Sequence, residues 1–229
     1  AVLACLAQGS ERKVLDAPSG RGALTRLLLD RGYEVCASDI LPELFEIDEV
    51  ECLAGNLNDR LPYGDASFDA VTSCNGIHRV FSLGRAISEY ARVLRPGGRL
   101  LVTVPNFTKL SRRIRFLFCG VISWAAVRSA KVIDEPEAHH RHAVSLTEIL
   151  LALQASGLEL VTVRGVRGRA WRIIFAPVVI FMRAAIRFFP ARRRSDYFLK
   201  ETASFPALFS DFVLIEARKP EARPSSSSH

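Results

Sequence analysis

The sequence predicts an α/β fold: a doubly wound parallel sheet covered by helices on both faces. Three observations carry this expectation. Short apolar strand patterns alternate with helix patterns along the chain. The turn after the first strand carries Gly20 and Gly22 and leads straight into a helix. The second strand ends in Asp39, about twenty residues later, where an acid can hold a ribose.

In order, Lys13–Ala17 reads as a buried strand, and Leu24–Asp30 as the helix that follows its turn. Glu34–Ser38, Val50–Ala54 and Ala70–Ser73 read as the next strands. Leu83–Val93 reads as a helix closed by the breaker Pro96-Gly97-Gly98, which leads into a strand at Arg99–Val104. Leu146–Ser156 is a late helix ended by Gly157, and Leu158–Val163 and Phe212–Ala217 complete seven strand patterns. A ligand is expected to meet bare backbone at the N-terminus of the first of these helices, with amides pointing outward.

The turn decides which ligand. A dinucleotide fingerprint needs a third Gly where Thr25 stands, and no Gly-Lys-Ser/Thr phosphate loop follows. Asp16 lies four residues before Gly20, and an acid there suits a cationic ligand without phosphates. At this point the chain resembles the class I S-adenosylmethionine-dependent methyltransferases, in particular the type 11-like small-molecule and lipid methyltransferases. The resemblance continues through Leu61-Pro62-Tyr63 with Ser67-Phe68-Asp69, the strand exit Cys74–Val80, the turn Leu94-Arg95-Pro96-Gly97-Gly98, and His140–Gly157.

The resemblance implies a Rossmann-like, seven-stranded sheet, mostly parallel, with an antiparallel last strand beside the sixth. It implies S-adenosylmethionine as cofactor, held by Asp16, Ala17, Pro18, Ser19, Gly20, Gly22, Asp39, Ile40, Asn56, Leu57 and Asn75. Asp39 would accept both ribose hydroxyls, and Asn56 and Leu57 would flank the adenine. Two positions depart from the pattern. Pro18 removes a backbone donor. Asn56 stands where many relatives carry Asp, and its carbonyl can still accept a hydrogen bond.

Composition bounds the rest. With 229 residues and 49% hydrophobic content, residues 1–219 suit a single domain, and 220–229 read as a disordered tail. Five cysteines without a CxxC argue against a disulfide framework and a zinc site and favour a reducing, cytoplasmic setting. Ala1–Gln8 lacks the pattern of a signal peptide. Met182 is the only Met, so a longer N-terminal region is an open expectation. A net charge of +7 fits nucleic acid, an anionic membrane or an ordinary solvated surface.

Segments 107–132 and 165–206 exceed the minimal pattern. Both are apolar, aromatic and flanked by arginines, and both are expected on the active-site face as insertions or a lid over the acceptor site. Neither suits a membrane span. A helix over Val178–Phe189 would put Arg183 and Arg187 on one face beside aromatic residues, as interfacial helices do. Peripheral contact with the cytoplasmic face of a membrane is the matching expectation.

For chemistry, His78 is the candidate general base, and Asn106, His140 and His142 the candidate acceptor contacts. His139, His140 and His142 follow Asp134, Glu135 and Glu137, but adjacent loop histidines rarely converge on one ion, so no metal is expected. Cys74 lacks the Pro-Cys context of a covalent pyrimidine mechanism, and the fourth-strand exit lacks the Asn/Asp-Pro-Pro-Tyr/Phe pattern of base amino-methylation. The expected function is methyl transfer to oxygen or carbon of a small, hydrophobic or lipid-linked acceptor. An RNA methyltransferase and a non-catalytic S-adenosylmethionine-binding module are the alternatives, and nucleic acid is the less favoured partner.

Overall fold

The computed structural model describes residues 1–120, 143–167 and 176–221. Seven strands form one sheet: β1 (Lys13–Asp16), β2 (Glu34–Asp39), β3 (Cys52–Ala54), β4 (Phe68–Cys74), β5 (Leu94–Pro105), β6 (Glu159–Val166) and β7 (Phe212–Arg218). Their order is β3-β2-β1-β4-β5-β7-β6. The first five pair in parallel, and β7 inserts antiparallel between β5 and β6. The expected α/β class and antiparallel last strand are both observed.

The period-two alternation of the strands sorts the core onto two faces. Val14, Val35, Ala70, Leu101 and Leu214 face one way, against Cys5 and Leu6 of α1 (Val2–Leu6) and Leu28 of α2 (Ala23–Leu29). Leu15, Val71, Leu100 and Val102 face the other way. They meet Ile87 and Tyr90 of α3 (Leu83–Val93) and Ile149 and Leu153 of α5 (Leu146–Ala155). Ser82 caps α3, and a reciprocal Ser145–Glu148 capping box starts α5.

Two boundaries correct the sequence reading. The Pro96-Gly97-Gly98 stretch does not separate helix from strand. The chain enters β5 at Leu94, and register jumps from Phe68↔Leu94 to Ala70↔Arg99, so these residues form a bulge at the start of β5. Gly97 has φ +78°, and a Cβ on Gly98 would lie 2.8 Å from the Arg95 carbonyl oxygen. The helix expected over Val178–Phe189 runs instead as α6 over Ala176–Ile186, leaving Arg187, Phe188 and Phe189 in the turn beyond it.

The described part of the first apolar segment leaves the carboxyl end of β5, and that of the second leaves the carboxyl end of β6 and leads into β7. They comprise α4 (Leu110–Cys119), α6, α7 (Ala191–Asp196), α8 (Leu199–Thr202) and α9 (Phe205–Phe209). Leu110, Val179 and Met182 pack on Leu208 and Phe209, which joins α4, α6 and α9 in a satellite core. Among the described residues no helix is long and apolar enough to cross a membrane.

Candidate active site

A cavity of about 470 Å³ opens where the strand order reverses, between β1 and β4, at the carboxyl ends of the strands. Four exits wall it: Pro18–Arg21 after β1, Asp39–Leu41 after β2, Gly55–Asn58 after β3 and Cys74–Gly76 with Arg79 and Val80 after β4. Leu24, Leu41, Leu44, Leu57 and Val80 make much of the lining apolar. Such a volume with a few converging polar groups suits one small ligand.

Asp39 is the best-defined polar group. It is buried; its Oδ2 accepts from Gly20 N at 2.8 Å and its Oδ1 from Leu41 N at 3.1 Å. Two amides fix the carboxylate, and each oxygen keeps a lone pair for a further donor. That is the arrangement two vicinal hydroxyls require.

Asp16 sits beneath the turn and reaches the cavity wall. Its Oδ2 accepts from Thr25 Oγ1 at 2.8 Å and its Oδ1 from Thr72 Oγ1 at 3.1 Å. Burial pushes its carboxyl up to about 6, and the two hydroxyl donors hold it from rising further. A positive ligand nearby would favour the ionised form.

The turn differs from the expected open helix N-terminus. Ser19 N donates to Ser38 O, Gly20 N to Asp39, and Gly22 N to Ser19 O, so these amides serve the protein rather than a ligand. These three amides are therefore not available to cradle an anion, which agrees with a ligand lacking phosphates. The two glycines also divide the work. Gly20 has φ +55° and nothing within 4 Å of an added Cβ, whereas a Cβ on Gly22 would lie 2.3 Å from Ile47 Cγ1. Gly20 lines the cavity, and Gly22 lets the 45–47 loop close on the turn.

Ala17, Ser19 and Leu57 are buried beside or within the cavity wall, and Pro18, Ile40, Asn56 and Asn75 line it. Ser19 Oγ is 3.4 Å from Cys52 Sγ, and Tyr90 Oη is 2.8 Å from the Ala17 carbonyl oxygen. Asn75 has φ +57°, and its amide donates to Thr103 O. The Asn56 carbonyl, expected to face an adenine, already accepts from Asn58 N at 2.9 Å and Asn58 Nδ2 at 3.0 Å. Asn58, which the sequence did not flag, accepts in turn from Phe81 N at 2.6 Å and thereby ties the β3 and β4 exits together.

Two other expectations are corrected. His78 is only 5% exposed in the short 3-10 helix Ile77–Arg79, near the Phe107 ring, and is absent from the cavity lining; Arg79 and Val80 occupy that wall instead. The tight turn rotates position 78 inward. Asn106 is a clamp, not an acceptor contact. Its Nδ2 donates to Ala207 O and Ser210 O, and its Oδ1 accepts from Thr108 N and Oγ1. Its amide donors thereby fix the end of β5 to the segment before β7, and its carbonyl holds the turn at Thr108. His139, His140 and His142 lie outside the described residues, as does Pro224–Ser228. Among the described residues no cluster of His, Cys, Asp or Glu could hold a metal ion. Burial pushes the Cys74 thiol up, which opposes a nucleophilic role.

Arg21, Leu41, Leu44, Asn58 and Arg79 line the cavity without any sequence signal that marked them. The motif 61–69 is explained structurally. Tyr63 Oη donates to Ala37 O, and Asp69 Oδ2 accepts from Arg12 N and Lys13 N, which fixes the start of β1.

Comparison with known proteins adds four findings. Residues 15–102 match the family described as "Methyltransferase domain". The chain is 41% identical over 100 residues to an uncharacterized methyltransferase of Mycobacterium bovis, covering 42% of this chain and 40% of that one. It is 36% identical over 103 residues to the demethylmenaquinone methyltransferase of Deinococcus radiodurans, covering 41% and 43% respectively. Each match thus spans less than half of the relative's length. In fold, the chain resembles an S-adenosylmethionine-dependent methyltransferase from Mesorhizobium loti, with TM-score 0.56, 18% identity and 92% of each chain covered.

Proposed function

We propose that the chain is a class I S-adenosylmethionine-dependent methyltransferase, matched as a methyltransferase domain through residues 15–102, and that it methylates oxygen or carbon of a small, hydrophobic or lipid-linked acceptor. The observation that carries the cofactor assignment is the Asp39 carboxylate, held by Gly20 N and Leu41 N at the edge of a 470 Å³ cavity. The donor set fits the cofactor. Asp39 has lone pairs for a ribose diol, and Asp16 supplies negative charge without a phosphate cradle. Leu57 and the apolar wall would receive the base.

S-adenosylmethionine supplies a methyl group already activated by the adjacent sulfonium charge. The protein's task is then mainly to position two partners and exclude water. Pro18, Cys74 and Gly76 bring the first and fourth strand exits to one wall of the cavity, and α4 leaves the neighbouring β5 edge. The acceptor class is supported by that apolar surround, and by a relative whose name specifies demethylmenaquinone.

Titration calorimetry tests the cofactor. Saturable binding of S-adenosylmethionine is expected, with none for NAD. Asp39→Ala should raise the dissociation constant about tenfold or more, about 1.4 kcal/mol; unchanged affinity refutes the ribose role. With methyl-labelled cofactor and a total lipid extract, label should enter the organic phase. Label confined to RNA would overturn the acceptor class.

A further inference from the structure

A second feature lies away from the cofactor cavity. Arg183, Arg187, Arg194 and Lys200 surround a groove of about 580 Å³ among α6, the turn after it, α7 and α8. Ile180 and Ile186 also line it, and among the described residues no carboxylate does. None of the four cations makes an ion pair among the described residues, and Arg194 Nε is buried without a hydrogen-bond partner. The nearby acid Asp196 faces Arg192 at 3.5 Å, on the same short helix. Glu201, next to Lys200, is the other acid on these elements.

Large apolar side chains are exposed on α6, on the turn after it and on α4. Phe188 is 91% exposed and Phe181 73%, and on α4 Leu117 and Phe118 are each 78% exposed. Leu110 at the start of α4 and Val179 and Met182 of α6 pack on the same Leu208 and Phe209, so the two helices are joined through α9. Exposed aromatic tips beside unpaired cations suit a surface that is apolar within and anionic at its edge.

We propose that this face docks on an anionic lipid bilayer, with lipid phosphates seated in the Arg183–Arg187–Arg194–Lys200 groove and Phe181, Phe188, Leu117 and Phe118 entering the interface. Charge complementarity selects this occupant. A neutral apolar partner would leave four cations unpaired, and an RNA would leave the aliphatic and aromatic surface of α4 and α6 unburied. The bilayer satisfies both. The inference stands apart from the cofactor assignment, because none of these residues lines the cofactor cavity.

The test is flotation with vesicles of phosphatidylcholine alone or mixed with phosphatidylglycerol, beside an S-adenosylmethionine titration of the same preparation. Binding to the anionic vesicles alone, weakening with salt, is expected. Each cation removed should weaken it about fivefold. The pair Arg183→Glu and Arg187→Glu should therefore abolish flotation while cofactor binding persists. Phe181→Ser with Phe188→Ser should weaken flotation about tenfold or more. Equal flotation on neutral vesicles overturns the proposal. So does absence of flotation with cofactor binding intact, or preferential capture of single-stranded RNA. Displacement by millimolar inorganic phosphate, with no effect of the Phe substitutions, would assign the groove to a soluble phosphate ligand and overturn it likewise. Flotation without cofactor binding would instead remove the methyltransferase reading alone.

Discussion

Asp16→Asn should change how stability depends on pH, and the sign follows from burial. The Asp16 carboxyl is pushed up to about 6 in the folded chain, mainly because burial disfavours its charge, from an ordinary value of 3.8. The folded state therefore binds this proton more tightly than the unfolded state. Its contribution is full below about pH 4 and is lost as pH rises through about 6. A shift of about two units at 1.36 kcal/mol each makes the loss about 3 kcal/mol. Asn carries no proton there, and the Thr25 and Thr72 hydroxyls can rotate to serve it. Urea denaturation of both proteins from about pH 4 to 7 isolates the effect, since other groups cancel in the difference. The wild type should lose about 3 kcal/mol relative to the variant across that range. A difference constant within about 1 kcal/mol refutes the argument. The ligand provides a second reading of the same proton. A cationic cofactor favours ionised Asp16, so wild-type affinity should fall about tenfold per pH unit below 6, while Asp16→Asn should titrate flat.

Two further substitutions separate scaffold from site. Asn106→Ala orphans the Ala207 and Ser210 carbonyls and the Thr108 amide, and should cost about 2–3 kcal/mol in chemical denaturation; unaltered S-adenosylmethionine affinity would support a clamp and lost affinity would contradict it. Gly76→Ala places a Cβ 2.2 Å from Pro18 Cδ, so it should cost about 1–3 kcal/mol and weaken cofactor binding. Adding Pro18→Ala should recover most of both losses, and additive losses in calorimetry and denaturation would exclude a direct contact.

The sheet was legible because its central strands β1, β4, β5 and β7 are largely buried and read as apolar runs, and because Gly20, at φ +55°, occupies a turn that few residues can form. What escaped was set by tertiary choice. Nothing local distinguishes His78 pointing inward from His78 pointing at a ligand; the short helix after β4 decides it. Asn106 resembled a site residue because it ends a strand at the ligand-binding edge, yet α9 and its exit consume its amide. Arg79 and Asn58 were invisible because loop residues reach a cavity through backbone paths that no periodicity records. The bulge at 95–98 reads as a breaker in sequence, since Pro and Gly serve both purposes.

The departure at Pro18 is matched elsewhere in the chain. Its ring occupies the space that any side chain at position 76 would need, with Cδ and Cγ at 2.2 and 2.3 Å from a Cβ built on Gly76. Proline at the first strand exit thus requires glycine at the fourth. Between them the Tyr90 hydroxyl lies 2.8 Å from the Ala17 carbonyl oxygen and 3.0 Å from Ser73 Oγ, which joins the same two exits from beneath. Pro18 contributes no amide, and the Ser19, Gly20 and Gly22 amides are already used. These four positions therefore offer a ligand shape rather than main-chain donors, beside the carboxylates of Asp16 and Asp39. A sulfonium-bearing nucleoside meets those conditions, and a pyrophosphate does not.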